Sequence, residues 1–297
     1  MKKTPYLLAL LFPLFAWGET VDGINYALDH PKGEATIIRL ENKVKYAGDI
    51  VVPPTVNVQG KTYQVTKMAD VVFYQSPQLT SVVLPEGIKT IPVGAFAECP
   101  KLHRIVLPPY LATIEAEAFM SCTALGELIL PPSVSRIEYG AFKECKALKH
   151  VALPEGVKSA EENLFWDCSK LQTIHLPASL REIQVFAFLG CNELRNIVVG
   201  ASTPPETWEN DAFEDIYDKA TVWIPQGSLA AYQRAQGWKR FKHFREGKPT
   251  GICTSSLSSS RPTTYDLYGR AQQVQEHPLL HLPKGVYIVN GTKQLIP

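Results

Sequence analysis

Hydrophobic residues in the middle of the chain recur with a constant period of 23 residues. Apolar and polar residues alternate between the recurring positions, and a Leu-Pro pair returns at a fixed place. One series contains Leu79, Leu102, Leu125, Leu148, Leu171 and Leu194, and a second contains Phe73, Phe96, Phe119, Phe142, Phe165 and Phe188. A period of this length is typical of a solenoid, because each coil buries its apolar side only by stacking on its neighbours. The sequence therefore predicts six stacked coils.

The alternation inside one period predicts the elements of a coil. In the second copy, residues 102–107 form a short strand with Ile105 pointing inward, and Pro108 ends it because proline has no N–H to donate. A second extended run contains the inward Ile114, and Phe119 follows at helix-turn spacing. Stacked as parallel strands, six coils make a sheet about 25–30 Å wide.

A cysteine accompanies five of the six copies. The series is Cys99, Cys122, Cys145, Cys168 and Cys191, with Ser76 in the first copy. Zinc motifs place two ligands within a few residues of each other, which this spacing does not. The favoured interpretation is buried free thiols that pack as small hydrophobes and accept hydrogen bonds from turn amides. Disulfides between adjacent coils are the alternative, and Cys253, outside the series, is predicted to be unpaired.

The first 18 residues have the composition of a secretory signal peptide. Lys2 and Lys3 precede an apolar run over residues 6–17, and Ala16-Trp17-Gly18 offers a cleavage site between small residues. The run is too short to span a membrane, so no transmembrane segment is predicted. We expect the protein to be secreted or displayed on the outer cell surface.

Changes of pattern divide the rest of the chain into five regions. Extended runs, including one at Asp49–Val52, predict a β cap before the coils, and a strand followed by a short helix with Ser228 at its N-cap predicts a cap after them. The predicted regions are an N-terminal β cap (19–65), a solenoid (66–200), a C-terminal cap (201–247), a linker (248–263) and a small β tail (264–297).

Composition and motifs argue against several function classes. The formal net charge is +1 and the chain has no basic tract, which disfavours nucleic acids and anionic membranes as partners. Sequence motifs of serine hydrolases, zinc proteases and phosphate-binding loops are absent. Glu127, His150 and His175 are the nearest approach to an acid–base or metal cluster, but an open sheet would hold them apart. No catalytic residue, cofactor or metal site is predicted.

The outward positions of the first strand in each coil form the candidate binding face. One row is Ser81, Arg104, Glu127, His150, Thr173 and Asn196, and the next is Val83, Val106, Ile129, Ala152, His175 and Val198. The second row is either an apolar strip for a partner or a consequence of β-propensity on a half-exposed strand. The mixture of Arg104, Glu127, Lys149 and His150 does not favour a partner of one charge sign.

Aromatic residues near the coil corners leave carbohydrate binding open as an alternative. Tyr110, Tyr139, Trp166 and Trp208 are the residues concerned. Exposed aromatic rings can stack on sugars, but single aromatics at such corners more often pack over neighbouring turns.

The repeated unit LxxVxLP…IxxxAFxxC resembles the BspA-like leucine-rich-repeat surface proteins of Bacteroidetes. Residues 22–26 with 46–53 resemble the N-terminal cap of that family, and Pro225–Trp238 its C-terminal cap. The tail, YDLYGR…LPKGVYIVNG, is similar to the sorting segments of secreted Bacteroidetes proteins, especially those exported by type IX secretion. The resemblance implies a leucine-rich-repeat solenoid of the α/β type, mainly β, in a secreted or surface-exposed binding protein without catalytic residues.

The leading functional hypothesis is binding or adhesion to a host extracellular or microbial surface protein, with a glycan as an additional possible ligand. A structural spacer of the bacterial envelope is the alternative. A hydrolase with a site between the repeats and a cap is a third hypothesis, which no residue pattern favours.

Overall fold

The computed structural model of the chain describes residues 18–40, 44–207 and 212–249, together with the backbone of four short strands between residues 264 and 296. The predicted signal peptide up to residue 17, most of the predicted linker, Trp208 and Cys253 lie outside the described residues.

The N-terminal cap is a mixed sheet. The strands of this part of the chain are β1 (Glu19–Val21), β2 (Ile24–Asp29), β3 (Glu34–Ile38), β4 (Ala47–Val51), β5 (Thr55–Val58) and β6 (Lys61–Met68). Five of them form a sheet in the order β1-β2-β3-β6-β5. Its pairs are antiparallel except β3 with β6, which run parallel. Tyr26 and Tyr63 are buried between this sheet and the first coils.

The coils contribute short strands separated by turns. In chain order these are β7 (Gln78–Val83), β8 (Thr90–Ile91), β9 (Arg104–Val106), β10 (Thr113–Ile114), β11 (Arg136–Ile137), β12 (His150–Ala152), β13 (Ser159–Ala160), β14 (Thr173–Leu176), β15 (Glu182–Ile183), β16 (Asn196–Val199) and β17 (Glu206–Thr207). The last elements of the solenoid are β18 (Thr221–Ile224), helix α1 (Leu229–Arg234), a 3-10 helix (Trp238–Arg240) and β19 (His243–Glu246).

Parallel pairing arranges these strands in two rows. The first strands of the coils form the main sheet, in two parts with the orders β4-β7-β9 and β12-β14-β16-β18-β19. The second strands form the orders β8-β10-β11 and β13-β15-β17. The Ala-Phe segments fold as turns rather than as helices. The predicted repeat solenoid is therefore confirmed, with strands and turns as its main elements.

Strand β4 belongs to the solenoid rather than to the cap, which corrects the assignment of Asp49–Val52. It pairs in parallel with β7, and Ile50 opposes Val82 in the core. The segment fits this position because its inward residue is apolar while Asp49 and Val51 point outward. The solenoid sheet thus begins one strand earlier than the leucine series suggests.

The main sheet is interrupted at the third coil. Within the described residues, no ladder pair joins β9 to this coil, and a single parallel bridge between Glu127 and His150 joins it to β12. Gly126 occupies the place of Thr80, His103 and Lys149 in other coils, and glycine weakens a strand because it has no side chain to pack. Ile129 is left 52% exposed at this point.

A column of stacked phenylalanine rings forms the centre of the solenoid. Successive rings from Phe73 to Phe188 lie 5.0–5.7 Å apart between centroids and within 16° of parallel. The column continues to Phe213, whose ring lies 5.3 Å from that of Phe188 at an angle of 3°. Phe213 adds a seventh ring that the 23-residue period does not include.

The five cysteines of the repeat are free and buried, in agreement with the free-thiol interpretation. Their hydrogen bonds differ from the expected ones, because each thiol donates to the phenylalanine carbonyl of the preceding coil rather than accepting from a turn amide. Cys145 Sγ, for example, lies 3.2 Å from the oxygen of Phe119, and the other four repeat this contact at 3.1–3.2 Å. The thiols therefore link neighbouring coils without covalent bonds.

We expect these thiols to be unreactive in the folded protein. Burial raises the pKa of the Cys99 thiol to about 11 and that of Cys145 to about 12, and it raises the pKa of the other three as well. In a Cys253→Ser variant, iodoacetamide at pH 8 should alkylate fewer than about one thiol in ten within an hour, and all five in urea. Mass spectrometry measures the result. Alkylation in native buffer, or a loss of thiols that only a reductant reverses, would contradict the free-thiol ladder.

The C-terminal cap closes the end of the phenylalanine column. Trp238, Phe241 and Tyr232 are buried against it, and Trp238 lies 5.3 Å from Phe213 between ring centroids. Ser228 precedes helix α1 as predicted but makes no side-chain cap hydrogen bond. Glu246 Oε1 on β19 instead accepts from the backbone N–H groups of Gly227 and Leu229 at 2.9 and 3.2 Å.

The backbone of the tail forms a small antiparallel sheet. Its strands are β20 (Thr264–Asp266), β21 (Ala271–Gln272), β22 (Gly285–Val289) and β23 (Thr292–Ile296), in the order β21-β20-β22-β23. Among the described residues, no helix has the length and apolar character that crossing a membrane requires.

Candidate functional site

The outward side of the main sheet carries parallel rows of side chains. Strand register places Asp49, Ser81 and Arg104 side by side, and it places Glu127, His150, Thr173, Asn196, Thr221 and His243 side by side. The 23-residue period joins Arg104 to Glu127 across the interruption. We call these nine residues the polar row. At about 4.8 Å per strand, the polar row extends for roughly 38 Å.

An apolar row lies two residues further along each strand. Register aligns Val51, Val83 and Val106, and it aligns Ala152, His175, Val198, Trp223 and Arg245, with Ile129 between the two groups by its place in the repeat. We call Val51, Val83, Val106, Ile129, Ala152, Val198 and Trp223 the ridge. Val51 and Ile129 are 38% and 52% exposed, and the others are partly buried. The ridge is thus a continuous strip that remains accessible to a partner.

Two members of the predicted face are not accessible. Ser81 is 7% exposed and Thr173 is 2% exposed, so the expectation that both side chains present themselves to a partner is wrong. Each is a short side chain between longer ones on the adjacent strands: Asp49 and Arg104 flank Ser81, and His150 and Asn196 flank Thr173. The other predicted face residues are exposed or partly buried.

Hydrogen bonds fix the N-terminal end of the face. Asp49 accepts from Ser81 Oγ at 2.7 Å and from Thr80 Oγ1 at 2.8 Å. These bonds, first that from Ser81, lower the pKa of the Asp49 carboxyl, with smaller contributions from the charges of His103 and Arg104. Asp49 is therefore ionised at neutral pH and gives this end of the face a fixed negative charge.

His175 is the titratable group that lies within the apolar row. Its neighbours in register are Ala152 and Val198, and it is partly buried. Burial, and next the charge of His150, lower the pKa of the His175 imidazole below its ordinary value. At neutral pH the ring is consequently uncharged and behaves as part of an apolar surface. This corrects the expectation of a normally titrating surface histidine.

The face is longer than the repeat pattern suggests. Asp49 and Val51 extend it at the N-terminal end, and Thr221, Trp223, His243 and Arg245 extend it at the other. Trp223 is partly buried, and its Nε1 donates to Asn196 Oδ1 at 3.1 Å. The alternation in Val222-Trp223-Ile224 was the available sequence signal, because its inward residues match those of the coil strands.

The corner aromatics lie apart from one another and do not form a shared sugar platform within the described residues. Tyr110 and Tyr139 are 65% and 52% exposed, each in a different turn. Trp166 is partly buried, and the ammonium of Lys143 lies 4.5 Å from its ring centroid, which occupies one ring face. Trp208 lies outside the described residues.

A shallow cleft of about 580 Å³ lies on the other side of the last coils, along β15, β17 and the loop at residues 200–205. Arg181 in its wall donates to the carbonyl groups of Ala178 and Leu180. Glu182 and Glu206 are direct register neighbours, so two carboxylates of the same charge face the cleft without a histidine, cysteine or serine beside them. Within the described part of the chain, no three His, Cys, Asp or Glu residues are grouped to hold a metal ion.

Comparison with known proteins supports the repeat assignment. The sequence profile of the BspA-type leucine-rich repeat region matches in six copies over residues 66–195 and 112–231. The chain belongs to this family. Its leucines and phenylalanines are the core positions described above, so the profile follows from the requirements of stacking. No curated protein matches the chain in sequence.

Several solved structures have the same architecture. A leucine-rich cell surface protein from Faecalibacterium prausnitzii is 30% identical, with a TM-score of 0.58 over 69% of this chain and 54% of its own. A leucine-rich repeat protein from Bacteroides ovatus is 24% identical, with a TM-score of 0.56 over 71% and 60%. The T. pallidum leucine-rich repeat protein is 28% identical, with a TM-score of 0.54 over 62% and 85%. This chain therefore spans just over half of the first protein and three fifths of the second.

Proposed function

We propose that this chain is a secreted or cell-surface protein that binds another protein, a host extracellular or microbial surface protein, through the outward face of its main sheet. The observation that carries the proposal is the ridge, a strip of apolar side chains running from Val51 to Trp223 beside the polar row. Membership of the BspA-type family and the likeness to a cell surface protein of Faecalibacterium prausnitzii support it. The signal-peptide composition of residues 1–18 supports export.

The physical basis is the combination of an apolar strip with polar borders. Protein interfaces generally have a desolvated apolar centre and a hydrated polar rim. The ridge supplies the former, and residues such as Glu127, His150 and Asn196 supply the latter. Because each coil is held only by its neighbours, such a face is also rigid and already formed before a partner binds. The proposal assigns no catalytic role to the chain.

Binding of residues 19–297 to a panel of purified extracellular-matrix and bacterial surface proteins tests the proposal. We expect saturable binding to at least one of them by biolayer interferometry, with an unrelated leucine-rich repeat protein as the control. Absence of binding across the panel would contradict the proposal and favour a structural spacer of the envelope.

Two matched variants locate the contact. Ile129→Gln with Val106→Gln removes apolar groups from the ridge, and Tyr139→Gln with Val93→Gln makes the same kind of change at exposed apolar positions outside the main sheet. The first pair should weaken binding about tenfold, because burial of two aliphatic side chains contributes about 1–2 kcal/mol, and the second should change it less than about twofold. Equal effects of both pairs would place the contact elsewhere.

A further inference from the structure

The outward face of the main sheet is divided by charge. From β12 to β19, each strand contributes one residue to the polar row, one to the apolar row, and one directly before the polar row. These fifteen positions are Lys149, His150 and Ala152; Gln172, Thr173 and His175; Arg195, Asn196 and Val198; Ala220, Thr221 and Trp223; and Lys242, His243 and Arg245. Four are lysine or arginine, three are histidine, and none is aspartate or glutamate. We call this part the cationic half.

The N-terminal half of the same face has the opposite tendency. Asp49 and Glu127 are its acidic residues, against Arg104 as its lysine or arginine. The whole chain is close to neutral, with a formal net charge of +1. The concentration of positive charge on one half of one face is therefore a local feature, and the sequence does not show it as a basic tract because the strands are 23 residues apart.

The positive charges of the cationic half are largely available. Within the described residues, Lys149 and Arg245 make no ion pair, and both are exposed. Arg195 donates to the backbone carbonyls of Asn192 and Leu194, which holds the guanidinium at the surface without neutralising it. Lys242 pairs with Asp218 at 2.8 Å, but both side chains are about two thirds exposed, so solvent screens this pair.

The cationic half also carries the C-terminal part of the ridge. Ala152, Val198 and Trp223 lie in the apolar row, with the uncharged His175 among them. The bases at Lys149, Arg195 and Lys242 lie three residues earlier along their strands, which is about 10 Å away. A ligand lying across the strands would meet apolar groups along one edge and positive charges along the other.

We propose that the partner binds this half of the face through an extended acidic polypeptide segment whose carboxylates alternate with apolar side chains. This inference rests on the proposed function and names the chemistry of the partner. An extended segment places successive side chains on opposite sides, so its acidic edge would face Lys149, Arg195 and Lys242 while its apolar edge covers the ridge. Four strand spacings, about 19 Å, correspond to about six extended residues.

The ridge distinguishes a polypeptide from an anionic polysaccharide. A sulfated sugar chain offers charge and hydroxyl groups but no apolar side chains to cover Ala152 and Val198. The aromatic ring that could stack on a sugar, Trp223, is partly buried between strands, and its N–H is bonded to Asn196. The combination of exposed bases with aliphatic groups therefore matches a polypeptide better.

Fluorescence anisotropy with defined probes tests this inference. The probes are a labelled twelve-residue peptide of alternating glutamate and valine, the same peptide with serine for valine, a peptide of alternating lysine and valine, and heparin. The glutamate–valine peptide should bind saturably below about 100 µM and weaken by about tenfold or more between 50 and 500 mM NaCl. The glutamate–serine peptide should bind at least about fivefold more weakly, and the lysine–valine peptide should not bind.

Matched charge reversals locate the contact. Lys149→Glu with Arg245→Glu should weaken binding of the glutamate–valine peptide at least about tenfold. Lys89→Glu with Lys158→Glu removes the same charge from exposed positions beside β8 and β13, and should change binding less than about twofold. Unchanged thermal midpoints establish that both variants fold. If the reversal unfolds the chain, Lys149→Gln with Arg245→Gln replaces it, with a smaller loss in the same direction.

The outcomes separate this inference from the proposed function. Stronger binding of heparin than of the glutamate–valine peptide, equal losses in the two reversals, or no peptide binding would overturn the acidic-segment proposal. A neutral or basic protein that binds in the panel and depends on Ile129 would also overturn it, while leaving binding through the main sheet intact. A blank panel together with no peptide binding would remove both.

Discussion

Replacement of Phe142 by alanine should lower the free energy of unfolding by about 4 kcal/mol. The ring is fully buried in the middle of the phenylalanine column, 5.7 Å from Phe119 and 5.4 Å from Phe165 between centroids. Truncation leaves a cavity between two coils whose backbones are held apart by their neighbours, so collapse around it is limited. Two stacked aromatic contacts are lost as well.

Urea denaturation followed by circular dichroism measures this effect. Phe142→Leu keeps most of the buried volume and should cost about 1–2 kcal/mol, whereas Tyr139→Ala, at a 52% exposed position in the same coil, should cost less than about 0.5 kcal/mol. A loss below about 1 kcal/mol for Phe142→Ala would mean that the column does not hold the coils together.

Replacement of Trp238 by alanine should cost about 3–4 kcal/mol, and the loss should begin at the C-terminal end. The indole is buried against Phe213 and Tyr232, and its Nε1 donates to the Pro205 carbonyl at 2.7 Å. Without it the last ring of the column has a cavity beside it, and the Pro205 carbonyl loses its partner. In a solenoid, where each coil contacts only its neighbours, such damage spreads inward from the end.

Amide hydrogen exchange distinguishes this local effect from a general one. In Trp238→Ala, protection should fall most in β18 and β19 and least in β2 and β3. Trp238→Phe retains the apolar contact but not the hydrogen bond, and should cost about 1–2 kcal/mol. A uniform loss of protection along the chain would contradict the end-first account.

The periodic part of the fold could be predicted because it depends on residue spacing alone. Phe142 and Cys145 recur every 23 residues, and stacking requires identical groups at identical places in each coil. Phe213 escapes that pattern because it follows Phe188 by 25 residues, yet its ring stacks at 5.3 Å. The two additional residues are accommodated between coils, where the register of the core is not affected.

The limits of the face could not be predicted from the repeat. Asp49 and Arg245 lie outside the leucine series, and strand pairing alone brings them onto the main sheet. The burial of Ser81 and Thr173 depends on the lengths of the side chains on adjacent strands, which the alternation of apolar and polar residues does not include. For the same reason, the cationic half becomes visible only when residues from five strands are placed side by side.

The capping of helix α1 shows how a local signal can be replaced by a distant one. Ser228 is a favoured N-cap residue type, but it is 4% exposed and its side chain makes no cap hydrogen bond. The carboxylate of Glu246, 18 residues later, accepts from the free N–H groups at this end instead. Contacts of this kind follow from tertiary structure and have no short-range pattern.

Histidine footprinting tests the central claim, binding through the outward face of the main sheet, most directly. His150 and His243 are exposed on the polar row, whereas His30 is exposed on the N-terminal cap and bonded to Tyr63. Diethyl pyrocarbonate labelling, with and without a protein partner from the panel, reports the accessibility of each ring by mass spectrometry. The account predicts that the partner lowers the labelling rate of His150 or His243 by about half or more and leaves His30 unchanged. Protection of His30 with unchanged labelling of both face histidines would contradict it.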